Sequence, residues 1–410
     1  MPTFKLFKIY PTPPRRQNQK TDSIKPAMQF PIKLAQFFGF FPPAPVTKSG
    51  RFSLSWRTVY SLVTFFLFLF EFLTVIQQQL RIDPAKKNIL MFNGVVFHVG
   101  GLIQNVLIFK ISMEWPYLCQ KWTKVEKGMA NYSSNKSLRR QLKMITVSIV
   151  AFAAAEHVLV NAYKLKTSFQ VEHYVPRRAF RNYFKYASYS HVFEVVDYSV
   201  GIGILVQYMN LQRTFNWNFV DVFVMLIGAA LSFRLKIIRK RLESLIKLNV
   251  ADVTVWKRVR ERYISCVQLV AAVNERISYI IFASFSLNLY FILFQLFGAF
   301  RPFNNNIERV YFGMSFGLLL TRLVCVCYFG GEVYEEWKNI RFALNSVRSS
   351  AYNEQVERFV YHVRTCEAIL SFKNFFFVTR SLILKVAGAV VTYELVLIQF
   401  NSEIIKNEKD

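Results

Sequence analysis

The stretch VFEVVDYSVGIGILVQYMNLQRTFNWNFVDVFVMLIGAALSFRL, residues 192–235, decides how this chain is built. A membrane-spanning helix needs about 20 apolar residues. The stretch is therefore long enough for two short crossings, or for one helix that runs on past the bilayer. Charge on either side chooses between them. The segment that follows, 234–262, carries Arg234, Lys236, Arg239, Lys240, Arg241, Arg258, Arg260 and Arg262. The region 114–143 is also basic. So is the N-terminal segment, with Lys5, Lys8, Arg15, Arg16, Lys20 and Lys25 against Asp22 as its single acid. Lys and Arg collect at the cytoplasmic ends of spans. All three basic regions lie in the cytoplasm only if 192–235 crosses once. The loop 164–185, with Arg177, Arg178 and Arg181, is also basic and weakens this argument.

Working outward, further apolar segments fall at 56–79, 89–113, 144–165, 264–299, 308–333 and 376–400. With the single crossing they make seven transmembrane helices. The expected fold class is all-α, a polytopic membrane protein with its N-terminus cytoplasmic and its C-terminus extracellular. The expected division is 1–55 as an N-terminal arm and pre-span helix, 56–333 as spans one to six, 334–375 as cytoplasmic anchor helices, and 376–410 as the seventh span with a short tail. The anchor region carries Glu335, Glu336, Arg341, Glu354, Arg358 and Arg364 among apolar residues at helical spacing, so it is too polar to cross.

Composition agrees. Of 410 residues 53% are hydrophobic, including 42 Phe and 20 Tyr, which is more apolar surface than one soluble core absorbs. A net charge of +27 in a soluble protein would suggest nucleic acid. Here the charge sits in blocks between apolar segments, so no nucleic-acid partner is expected. The five cysteines, Cys119, Cys266, Cys325, Cys327 and Cys366, fall in no segment placed outside the cell, so no disulfide framework is expected. The first 57 residues lack the early apolar core of a cleavable signal. Sequons at Asn131 and Asn135 are glycan acceptors only if their loop is luminal, which this topology denies. No GxSxG, HExxH or GxxxxGK motif occurs, and the five histidines show no ligand spacing. No enzyme activity, metal or cofactor is expected. The glycine pairs 100–101 and 330–331 read as close helix packing or hinges.

The last span ends in TYELVLIQF, Thr392 to Phe400. This resembles the TYxxxxxQF signature of insect gustatory receptors, and it sits where that family places it. LAQFFGFFP (34–42), MEWPYLCQKW (113–122), AAEHVL (154–159), the block 215–236, NLYFILFQL (288–296) and QVERFVYHV (355–363) are similar to features of the sugar-receptor branch. The resemblance covers nearly the whole chain after the N-terminal arm. It implies an insect chemoreceptor-channel fold, assembly as a homotetramer or a heterotetramer with related receptors, and a ligand-gated cation channel in the plasma membrane.

Under that resemblance two groups of residues stand out. In the last helix, positions seven apart share a face. Thr392 and Gln399 lie on one stripe, and Tyr393 and Phe400 on the next. Gln399 is the candidate for the pore constriction, Phe400 and Val396 for an apolar gate that closes by dewetting, and Tyr393 for a brace. The competing reading of the motif is helix packing. Ionisable and amide groups inside spans are costly there and mark functional sites by default. Asn93, His98, Glu156, His157, Asp197, Asn288, Tyr290 and Gln295 all fall in outer halves of spans. Carboxylates and amides bond sugar hydroxyls and aromatic rings stack on sugar CH faces, so these residues are the candidate sugar site. Asp221 and Arg322 fall in inner halves and read as a structural pair; Glu71, Glu275, Arg276 and Lys385 are given no ligand role.

The expected function is a sugar-gated, non-selective cation channel of taste neurons. The alternative is a seven-span chemoreceptor that signals through a cytoplasmic partner without conducting. A transporter is the third reading, and the repeated halves with broken helices common in transporters are not seen in the sequence.

Overall fold

The computed structural model describes residues 23–43, 55–82, 89–129, 137–299 and 306–407. Their long helices are α2 (Trp56–Arg81), α3 (Ile89–Gly128), α4 (Leu138–Val171), α7 (Val200–Lys247), α8 (Val253–Ala299), α9 (Asn306–Asn345) and α11 (Ser381–Asn407). Short helices α1 (Ile24–Phe37), α5 (Pro176–Asn182), α6 (Ser190–Phe193) and α10 (Glu354–Thr365) join them. Among the described residues α2, α3, α4, α8 and α9 are long and apolar enough to cross a membrane. Helix α2 is built inside out. Its small hydroxyls Ser61, Thr64 and Thr74 are buried, while Phe66, Leu73 and Leu80 stand exposed. In water that arrangement would be costly; against lipid it is the favourable one.

Helix α7 is the axis. Every residue from 218 to 235 is buried, because α3, α4, α8 and α9 pack around it. A helix apolar on all sides is a helix surrounded on all sides. Its 48 residues make one unbroken helix, about 72 Å long at 1.5 Å per residue. The stretch 192–235 is thus mostly one helix, the form that a single crossing requires. The boundaries differ: 192–193 belong to α6, residues 194–199 bend, and the helix runs on to Lys247. Where α7 crosses α9 the backbones touch. A Cβ on Gly228 would fall on the Phe329 carbonyl and the Gly330 Cα.

The pre-span segment is a wedge. Glu126 of α3 accepts from the Ser23 hydroxyl (2.6 Å) and the Ile24 amide (2.9 Å), capping α1, and pairs with Arg234 of α7 (2.6 Å). After α1 the chain turns at Gly39 (φ +84°), where a Cβ would lie 2.5 Å from Thr64 Oγ1. Gln212 of α7 pins the turn by donating to the Phe38 carbonyl, Tyr60 Oη and Thr64 Oγ1. Phe38 then stacks on Phe215 at 4.2 Å, Phe40 sits on Phe68, and Phe41 meets Trp115, Phe219 and Phe223.

At the basic end the helices outrun the apolar segments. The region 114–143 is no loop in its first half, since α3 continues to Gly128. Likewise α9 runs without a break to Asn345. The helical reading of 334–375 therefore needs one correction. A two-stranded hairpin, β1 (Ser371–Phe372) with β2 (Phe376–Phe377), closes the region. Asn274 of α8 holds it, accepting from the Ser371 amide at 2.8 Å. Trp337 of α9 donates to the Val363 carbonyl of α10 (3.1 Å). Between α7 and α8, Asp252 accepts from the Thr254 side chain and amide, and these bonds hold its carboxyl below the usual range. Gly100 abuts Leu287, Gly101 abuts Arg213, and Gly331 abuts the Thr379–Arg380 backbone, so both glycine pairs are close-packing sites. All five cysteines are free. The sequons at Asn131 and Asn135 and the first 22 residues lie outside the described residues.

Candidate functional site

Five long helices enclose a cavity of about 290 Å³. Helix α3 gives it Asn93 and Phe97, α4 gives Glu156, His157, Val160 and Lys164, and α7 gives Asn210, Thr214, Trp217 and Asn218. Helix α8 adds Phe291 and Gln295, and α9 adds Tyr311, Ser315, Leu318, Leu319 and Arg322. Glu156, Val160 and Lys164 are four residues apart, which puts them on one face of α4. Trp217 packs on Phe291 at 4.3 Å and Phe97 on Trp217 at 5.2 Å, making an aromatic wall. Beside it, Gln295 Nε2 donates to Ser315 Oγ (3.0 Å), and Thr214 Oγ1 meets His157 Nδ1 (3.2 Å). The buried oxygens Gln295 Oε1 and Asn93 Oδ1 have no protein partner among the described residues. A buried acceptor left unmet is costly.

The floor is a closed polar network. Asp221 of α7 pairs with Arg322 of α9 at 3.2 Å. Ser284 and Asn288 of α8 donate to the same carboxylate, Asn288 to both oxygens at 2.9 and 3.0 Å. Arg322 donates in turn to Asn288 Oδ1 (2.6 Å) and Asn218 Oδ1 (3.0 Å), and lies 5.0 Å over the Trp217 ring. Arg322 and Asn218 also line the cavity, so the network fixes the groups a ligand would meet.

The trehalose receptor family matches residues 12–409 of the chain. The gustatory receptor for sugar taste 64a of Drosophila melanogaster is 30% identical over 90% of this chain and 82% of its own length. The gustatory receptor 5a for trehalose of the same species is 30% identical over 79% and 72%. This chain belongs to the trehalose receptor family, in the sugar-taste branch of the insect gustatory receptors. Its fold is that of the insect olfactory receptor OR5 from Machilis hrabei in complex with eugenol. The TM-score is 0.71 at 13% identity, over 92% of this chain and 98% of the other. It is a chemoreceptor of the plasma membrane and not an enzyme.

In this gustatory receptor the cavity brings together Asn93, Glu156, His157 and Gln295 of the residues singled out in the sequence. Asn288 lies one layer below them, spent on Asp221 and Arg322. Tyr290 turns aside and packs on Phe291 and Phe294. His98 contacts Arg213, which also pairs with Glu71, in a separate buried cluster between α2, α3 and α7. Asp197 lies at a different hollow, beside Arg177, Arg181 and Lys185 at the start of α7. The pairing of Asp221 with Arg322 is as expected, and Arg276 holds both Glu275 and Glu114. Lys164, Trp217 and Tyr311 were not singled out in the sequence. Lys164 had a signal, two helical turns beyond Glu156, whereas the aromatics had none in a chain this rich in them.

The receptor's last helix rests its first half, through Leu382, Ile383, Val386 and Val390, on the bundle. Beyond that, Thr392, Val396 and Gln399 are exposed, at the i, i+4, i+7 spacing of one face. Thr392 Oγ1 bonds its own helix at the Gly388 carbonyl (2.9 Å), and Tyr393 is half-buried. The Phe400 side chain lies outside the described residues.

Proposed function

We propose that this receptor is a sugar-gated, non-selective cation channel. The observation that carries the reading is the cavity, lined by the amides of Asn93 and Gln295 together with the aromatic rings of Phe97, Trp217 and Phe291. Sugars present hydroxyl donors around apolar CH faces and need both kinds of surface. The cavity residues on α7 precede the basic stretch 234–247 by about 25–35 Å of helix rise. With the basic end in the cytoplasm, the cavity opens toward the outside.

In a tetramer the exposed face of α11, with Thr392, Val396 and Gln399, lines the ion path, and Phe400 adds to its gate. Tyr393, turned from that face, braces the helix against its own bundle. Sugar shifts the channel toward opening only through tighter binding to the open state. Relatives named for trehalose and for sugar taste support this ligand class.

The test is an excised patch from cells expressing this chain alone, without nucleotide, washed with mono- and disaccharides. Current that follows the sugar within milliseconds is expected. A response that requires GTP or a soluble partner would overturn the channel reading in favour of indirect signalling.

A further inference from the structure

At the basic end a second hollow, a groove of about 710 Å³, lies between α4, α7 and α9. Its wall is apolar, from Met144 and Ile145 of α4, Phe233 and Ile237 of α7 and Phe329 of α9. Its rim is cationic, with Arg140 at the start of α4 and Lys236 and Lys240 on α7. Among the described residues Glu332 is the one carboxylate in the lining, against three cations. Lys236 stands 3.8 Å from Glu332 and 3.7 Å from Glu336, while Glu336 is held more closely by Arg239 at 2.7 Å. Among the described residues, neither Arg140 nor Lys240 has an acidic partner. Cations gathered beside an apolar cleft at the cytoplasmic edge of a helix bundle match one chemistry, an anionic headgroup carrying an acyl chain.

We infer that this groove binds an anionic phospholipid of the inner leaflet, of the phosphorylated-inositol class, with its phosphates on Arg140, Lys236 and Lys240 and an acyl chain along Met144 and Phe233. Charge complementarity selects the headgroup, since a neutral headgroup would leave Arg140 and Lys240 without an anionic partner. The wall selects a lipid over a free phosphate. The site also reaches the start of the last helix. Tyr328, in its lining, carries the Arg380 guanidinium on its ring at 4.4 Å, and Arg380 immediately precedes α11. The site is separate from the sugar cavity and stands whether or not the channel reading does.

The experiment uses the full chain in phosphatidylcholine nanodiscs containing a few mole per cent of a fluorescent bisphosphorylated phosphatidylinositol, with binding read by energy transfer from the receptor. Saturable binding is expected. Arg140→Gln and Lys240→Gln, both at exposed positions, each weaken it roughly fivefold, the effect of one cation near a charged headgroup. Glu332→Gln tightens binding, a sign that general loss of structure cannot produce. Met144→Trp, which fills the cleft with every charge kept, weakens it. Equal binding by all four variants would overturn the assignment, as would full competition by the soluble inositol headgroup or by phosphatidylcholine alone.

Discussion

Asp221 of α7 and Arg322 of α9 form an ion pair at 3.2 Å, neither side chain more than 3% exposed, directly beneath the proposed sugar cavity. Each of the two also bonds Asn288, so three helices are tied at one point. Removing one partner of such a pair strands a buried charge, at a cost of about 3–5 kcal/mol. Arg322→Met is therefore expected to lower the melting temperature of the purified receptor and its surface expression sharply. Asp221→Asn combined with Arg322→Met leaves no stranded charge and should regain most of the loss. Thermal melting of the two variants side by side checks this; equal melting would mean that the pair is not what holds the floor.

Each unmet amide oxygen in the cavity is worth one hydrogen bond to a ligand. Gln295→Ala and Asn93→Ala are each expected to raise the half-activating sugar concentration roughly two- to twelvefold, the equivalent of about 0.5–1.5 kcal/mol. Tyr290→Phe, outside the cavity, should leave it unchanged. Dose–response curves at matched surface expression separate the three. A shift for Tyr290 and none for Gln295 would move the binding site elsewhere.

Gly39 holds a left-handed backbone, and a Cβ there would press on Thr64. Gly39→Ala is expected to cost about 1–3 kcal/mol in strain alone, seen as reduced surface expression. Adding Thr64→Ala removes the collision but not the strain, so recovery should be partial. Full recovery would assign the whole effect to the collision.

For Gln399→Ala the expected outcome is altered gating or ion permeation with surface expression retained. In the proposed channel, the amide on the exposed face of α11 lines the ion path. Single-channel recording reads it directly, and unchanged conductance and open probability would take Gln399 out of the pore.

The bundle was legible because spans are written in runs of apolar residues, and because basic blocks mark one end. What hydropathy does not see is helix beyond the membrane. The extension of α3 to Gly128 and of α9 to Asn345 are polar on one face and read as loop or as separate helices. Four cavity residues were legible because a carboxylate, imidazole or amide inside a span is rare. Tyr290 was misplaced for a geometric reason. Asn288, Phe291 and Gln295 lie at i, i+3 and i+7, a single stripe of α8, and Tyr290 is about 100° away from Phe291. The role of His98 was not legible, since its partner Arg213 is 115 residues distant in sequence and on another helix.

Because α7 has no break from Val200 to Lys247, it works as a single lever. Trp217 and Asn218 stand toward its middle, Lys236 and Lys240 nearer its C-terminal end. If sugar and lipid bind where proposed, one continuous helix touches both sites. By reciprocity, whatever factor the lipid applies to sugar affinity, sugar must apply to lipid affinity. Under both proposals, the composition of the inner leaflet shifts the sugar concentration at which the receptor responds.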